Sequence, residues 1–119
     1  MHLHVFDPLQ LDRLAHDVAN WPFTVTFVEK YRRLLPHRVG RIVEATESAD
    51  VDRALDAILS LRVASTIVGT HELADLARYV ESRLRLDDLV GAQSRVRHLA
   101  DAAERADRAL ASYLLQTVR

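Results

Sequence analysis

The sequence predicts an all-α chain, an antiparallel up-down four-helix bundle with a short extra helix at its N-terminus. Three observations carry that expectation. Only three glycines and three prolines punctuate 119 residues, too few for the many turns of an all-β domain. Apolar residues make up 49% of the chain, and they recur at every third or fourth position. Short connections separate the segments that carry this pattern, and short connections place successive helices antiparallel. No internal repeat or low-complexity linker divides the chain, so residues 1–119 are expected to form one domain, large enough to bury a core without disulfides.

The first helix is expected to open at Asp7, whose carboxylate can accept from free amides, with Pro8 in the first helical position. Gln10 completes a D-x-x-Q capping box. Leu9, Leu11, Leu14, Ala15 and Val18 then make a short amphipathic helix. Asn20-Trp21-Pro22 breaks it and starts the next.

The second helix is expected from about Pro22 to Glu47. Phe23, Phe27, Tyr31, Leu34, Leu35, Val39, Ile42 and Val43 follow a helical period and are assigned to one apolar face. Pro36 and Gly40 interrupt the run. A proline inside a helix loses a hydrogen bond and bends it, so the expectation is one long helix with a bend, two helices meeting at Pro36 being the alternative. Ser48-Ala49-Asp50 reads as a turn, with Asp50 capping a third helix over about Val51 to Val68. Gly69 ends that helix, as a residue free to adopt positive φ does.

Thr70 is expected to cap a fourth helix, about His71 to Leu86, with Leu73, Leu76, Ala77, Val80 and Leu84 facing inward. Asp87-Asp88 makes a turn before a last helix spanning about Leu89 to Thr117. Its inward stripe is Val96, Leu99, Ala103, Ala106, Leu110 and Leu114.

Composition excludes several classes of function. No cysteine is present, so disulfides, thiol nucleophiles and thiolate metal sites are out. The formal net charge of -1 gives no electrostatic reason to expect nucleic acid or an anionic membrane as a partner. No apolar run approaches the roughly 18 residues a membrane span needs, and the start MHLHVFDPLQ lacks a basic segment followed by an apolar core. A cytoplasmic location is expected. No dinucleotide fingerprint, P-loop, H-E-x-x-H or serine elbow occurs, and no cofactor is expected.

The middle of the chain is more specific. Ile58-Leu59-Ser60-Leu61-Arg62-Val63-Ala64-Ser65 is followed by Gly69, ten residues after Leu59, and then by Leu73-Ala74 and Val80-Glu81. This pattern resembles the histidine-containing phosphotransfer (HPt) domain of bacterial phosphorelays, whose central helix reads close to Ala-His-x-Leu-Lys-Gly. The upstream run Phe27…Leu35-Pro36…Ile42…Ala45…Asp50 is similar to the family's preceding helix, and the resemblance extends from Phe6 to Leu114. It implies a two-component signalling module whose partner is a response-regulator receiver domain or a histidine kinase.

Residue by residue, the resemblance fails where the family's chemistry lies. The phospho-accepting histidine corresponds to Leu59, which has no lone pair with which to attack an aspartyl phosphate. The family's lysine corresponds to Arg62, still a cation able to face an anion, and its glycine to Val63. The resemblance therefore implies a pseudo-phosphotransfer domain, a binding module without catalysis. Its docking face would hold Leu55, Leu59, Arg62, Val63 and Thr66.

Helical geometry separates that face from the core. Ala54, Ile58, Leu61, Ser65 and Val68 form one stripe, assigned to the core, while Leu55, Leu59 and Val63 form a second row rotated away from it. Two readings of the second row stay open. It is a docking surface, or it is buried, covered by the first helix or by a second copy of the chain, and the second copy would make the domain a homodimerisation bundle.

Other features read as structural. His16, His37, His71 and His98 are taken as surface or boundary residues, with His71 the first choice for a non-standard phosphate carrier. His2-x-His4 supplies two metal ligands without a third and makes a poor site. Arg32, Arg33, His37, Arg38 and Arg41 concentrate positive charge on the second helix, and Glu29, Glu44 and Glu47 flank them, as on a solvated face laced with ion pairs.

Overall fold

The computed structural model describes residues 4–18 and 21–117, all of whose regular structure is helical. His2, Asn20 and the side chain of Val18, which the sequence reading used, lie outside the described residues.

Helix α1 (Pro8–Val18) starts where expected, and the Leu9 amide donates to Asp7 Oδ1 at 3.0 Å. The expected capping box does not form. Gln10 turns its amide outward from its own helix and donates to the carbonyls of Thr66 (2.6 Å) and Ile67 (3.3 Å), while the Asp7 amide donates to the Gly69 carbonyl at 3.0 Å. The last carbonyls of a helix have no partner within it, and a neighbouring segment that satisfies them outcompetes a local cap. Phe6 and Leu11 are buried beneath this strap, and Phe6 meets Tyr113 edge-on at 5.5 Å between ring centroids.

Helix α2 (Trp21–Glu47) runs through Pro36 without interruption, so the alternative of two helices does not hold. Pro36 sits on the exposed side. The buried stripe is Thr24, Val28, Tyr31, Leu35, Val39, Ile42, Ala45 and Thr46. Phe23 and Phe27 are therefore not core residues as expected. Phe23 is 52% exposed, and Phe27 and Leu34 are half-buried. Two rows with the same period cross at Tyr31, one through Phe23 and Phe27 and one through Thr24 and Val28. Hydrophobicity alone favours the aromatic row, but the neighbouring helices cover the other. Thr24 and Thr46 tolerate burial there; the Thr46 hydroxyl donates back to the Ile42 and Val43 carbonyls, each at 3.0 Å.

Helix α3 (Val51–Val68) begins and ends as expected. Asp50 accepts from the Arg53 amide at 3.2 Å, and Gly69 closes the helix at φ 94°. Ala54, Ile58, Leu61, Ser65 and Val68 are all fully buried, which bears out the core stripe. Helix α4 (His71–Arg85) stops one residue short of the expected Leu86. Thr70 does not cap it with its side chain. Its hydroxyl instead meets the Tyr31 hydroxyl at 2.8 Å, and Tyr31 meets Ser65 Oγ at 2.8 Å, a fully buried polar triad tying α2, α3 and the start of α4 together. Burial pushes the Tyr31 phenol above its ordinary value.

The expected last helix is two. Helix α5 (Leu89–Val96), capped by Asp88 accepting from the Gly91 amide at 2.9 Å, is separated from α6 (Leu99–Thr117) by a turn at Arg97 and His98. There the His98 amide donates three residues back, to the Arg95 carbonyl at 2.9 Å. The tighter turn interrupts the helix but keeps Val96 and Leu99 both buried, so the apolar spacing gives no sign of the break.

α3 packs between α2 and α4, and α6 also contacts both α2 and α4. α5 lies against α4 and α2, and α1 against α2 and α3. The molecule measures 45 × 26 × 20 Å, an elongated shape set by α2, whose 27 residues span roughly 40 Å. Among the described residues no helix is long and apolar enough to cross a membrane.

Candidate docking face

The second row of α3 is open. Leu59 is 38% exposed and Val63 44%, with their helix anchored through the opposite stripe. The reading in which α1 covers this row is not what the structure shows, because α1 is held at the C-terminal end of α3 through Gln10. Leu55 is half-buried against the core and borders the row without standing out from it.

Arg62 and Thr66 play other parts than expected. Arg62 Nε donates to Glu81 Oε1 at 2.6 Å, and Glu81 Oε2 accepts from Arg85 at 2.9 Å. Glu81 is buried, and one residue exposing so little carboxylate holds two cations at the α3–α4 seam. Arg62 is therefore not a free cation on the docking face; a carboxylate 19 residues away on the next helix claimed it, a pairing across helices that i,i+4 reasoning does not find. The Thr66 hydroxyl donates to the Arg62 carbonyl of its own helix at 2.8 Å, so Thr66 offers the face a methyl group more than a free donor.

Burial pushes the Glu81 carboxyl up, but the hydrogen bonds from Arg85 and Arg62 and their positive charges together outweigh it, so it titrates below the ordinary 4.5. A carboxyl lowered on folding contributes stability that is present above its unfolded value and lost as pH falls through the folded one. Wild-type protein is expected to exceed Glu81→Gln in stability by about 1–3 kcal/mol at neutral pH. The difference should shrink as pH drops below 4.5. Urea unfolding of both proteins between neutral and acid pH measures this; a pH-independent difference would mean that the pair does not act through charge.

Residues that the sequence reading left unassigned or placed in the core complete the face. Ile67, 44% exposed, extends the row by one more i+4 step. Phe27, Leu59, Ser60, Val63, Ala64 and Ile67, with Arg38 and Asp56 at the edge, line a groove of about 430 Å³ between α2 and α3. Phe23 stacks on Phe27 at 6.4 Å between centroids and continues the apolar surface along α2. Continuing the Leu55-Leu59-Val63 series by four would have found Ile67. The aromatic pair could not be found in this way, since its spacing fits a core stripe equally well.

The basic segment of α2 also departs from expectation. Arg32 pairs with Glu29 at 3.4 Å and with Asp107 of α6 at 2.8 Å, and Glu44 pairs with Arg53 at 3.5 Å. Among the described residues Lys30, Arg33, Arg38 and Arg41 make no ion pair, so the segment is not laced as its neighbouring glutamates suggested. A regular i,i+4 lattice fails because Glu29 and Glu44 find Arg32 and Arg53 instead.

His71 is the first residue of α4 and half-buried, and His98 lies in the α5–α6 turn, not within a helix. Leu59, not an imidazole, occupies the outward position in mid-α3. Among the described residues no three side chains are grouped to hold a metal ion. No family model, curated protein or solved structure matches the chain.

Proposed function

We propose that the chain is an HPt-like module of a cytoplasmic phosphorelay that binds a receiver domain or a histidine kinase without carrying phosphate. In this reading α2, α3, α4 and α6 form an up-down antiparallel four-helix bundle, with α1 as the short extra helix. The resemblance in the Leu59 to Gly69 region supports the partner class, and the neighbour relations of the helices fit such a bundle. The observation that carries the reading is the exposure of Leu59 and Val63 in mid-α3, at the positions where the family mounts its histidine and glycine.

Chemistry follows from those two side chains. A leucine accepts no phosphoryl group, and Arg62, engaged by Glu81, is not free to face one. Affinity would come from burying Leu59, Val63 and Ile67 at the centre of a contact, where a few well-buried side chains dominate binding.

Leu59→Arg is expected to weaken binding to a cognate receiver or kinase at least about tenfold, because it sets a charge in the centre of an apolar contact. Calorimetric titration against purified receiver domains checks this, and unchanged affinity would remove the α3 face from the contact. Mass spectrometry after incubation with acetyl-phosphate-charged receivers should find no acid-labile adduct of about 80 Da; such an adduct would make the chain a phosphate carrier through another histidine. Light scattering tests the homodimer: a dimer broken by Val63→Asp would assign the same face to self-association.

A further inference from the structure

The groove between α2 and α3 joins two features that the docking reading uses only in part, an apolar strip and a border of cations without partners. Leu59, Val63 and Ile67 stand in one row on α3, with Phe27 facing them from α2. Ile67 lies eight positions after Leu59, so the strip is about 12 Å long, the length of two helical turns. Lys30 and Arg38 line the adjoining cleft beside Phe27 and Leu34.

Most of the other arginines are already paired, which leaves the cations beside the groove free for a partner. Arg32, Arg53, Arg62, Arg78, Arg83, Arg85, Arg105 and Arg108 each hold a carboxylate within the chain. Lys30 and Arg38 hold none among the described residues, as Arg13, Arg95 and Arg97 elsewhere hold none, and Asp56 is the one carboxylate that lines the groove. A two-turn apolar trough between helices fits the i, i+3/i+4, i+7 stripe of a third helix. Unpaired cations along one side select acidic residues beside that stripe and repel basic ones.

We propose that this groove seats an amphipathic helix of a partner protein whose apolar stripe is flanked by glutamate or aspartate. The proposal rests on the docking reading above and names the chemistry of the docked element. A second copy of the chain fits less well, since a two-fold dimer through this patch would set Lys30 and Arg38 near their own copies.

The test uses two synthetic helical peptides that share one leucine stripe, one flanked by glutamates and the other by lysines. Each is titrated into isotopically labelled full-length protein and followed by backbone amide resonances. The acidic peptide is expected to bind at least about tenfold tighter at low salt and to shift amides between Leu59 and Ile67. The preference should disappear in a Lys30→Glu/Arg38→Glu double variant, which breaks no internal ion pair and should unfold with the wild type. Equal binding of the two peptides, preference for the basic one, or no shift along Leu59 to Ile67 would overturn the proposal. A receiver that loses binding to Leu59→Arg but not to the double variant would keep the docking reading and remove the acidic helix. An acidic peptide seated in the groove of a protein that binds no receiver would do the reverse.

Discussion

Leu61→Ala is expected to lower the free energy of unfolding by about 2–5 kcal/mol, whereas Leu59→Ala, two positions away on the same helix, should change it by less than about 1 kcal/mol. Leu61 is fully buried between α3 and its neighbours, while Leu59 is 38% exposed. Removing the Leu61 side chain loses its transfer free energy and leaves a cavity that close-packed neighbours fill only in part. Removing that of Leu59 leaves no enclosed cavity, and alanine is the better helix former at an exposed site. Urea unfolding at neutral pH measures both. Equal losses would mean that α3 is covered on both faces, and the docking face would cease to exist. Unequal losses make Leu59→Arg a clean probe of binding, because its protein stays folded.

That contrast marks where the sequence was sufficient. Asp50, Gly69 and the Ala54-Ile58-Leu61-Ser65-Val68 stripe fixed α3 because local capping chemistry and a period of 3.6 act within one helix. The same logic separated Leu59 and Val63 from the core. It failed where the deciding partner is distant in the chain. Gln10 satisfies carbonyls 56 and 57 residues away rather than its own helix, and Thr70 turns to Tyr31 instead of capping α4. Arg62 is claimed by Glu81, and the choice between the Phe23-Phe27 and Thr24-Val28 rows of α2 depends on which helices lie alongside. Local patterns carry no information about those contacts. The α5–α6 turn is a different case, since a three-residue-back hydrogen bond interrupts the helix without disturbing the apolar spacing.

Gly69→Val is expected to cost about 2–4 kcal/mol, for two separable reasons. Gly69 sits at φ 94°, where a β-branched residue is strained by about 1–3 kcal/mol. A Cβ there would also approach Gln10 Cβ to 3.0 Å and the Asp7 carbonyl to 3.1 Å, closer than such contacts normally come. The Asp7 carbonyl belongs to backbone already tied to Gly69 by a 3.0 Å hydrogen bond, so it can retreat only by loosening the strap. Gly69→Asn separates the two effects. Asparagine tolerates the left-handed conformation but still carries a Cβ, so its loss should fall between those of glycine and valine. Crowding against α1 predicts, besides lower stability, faster amide exchange for Asp7 and Gln10 in both variants, with Leu61 still protected. Valine and asparagine variants as stable as wild type, with Asp7 and Gln10 exchanging at wild-type rates, would show that α1 is not seated on the α3–α4 turn. The base of the exposed row would then be differently built, because that seating is what keeps α1 at the end of α3 and leaves Leu59 and Val63 uncovered.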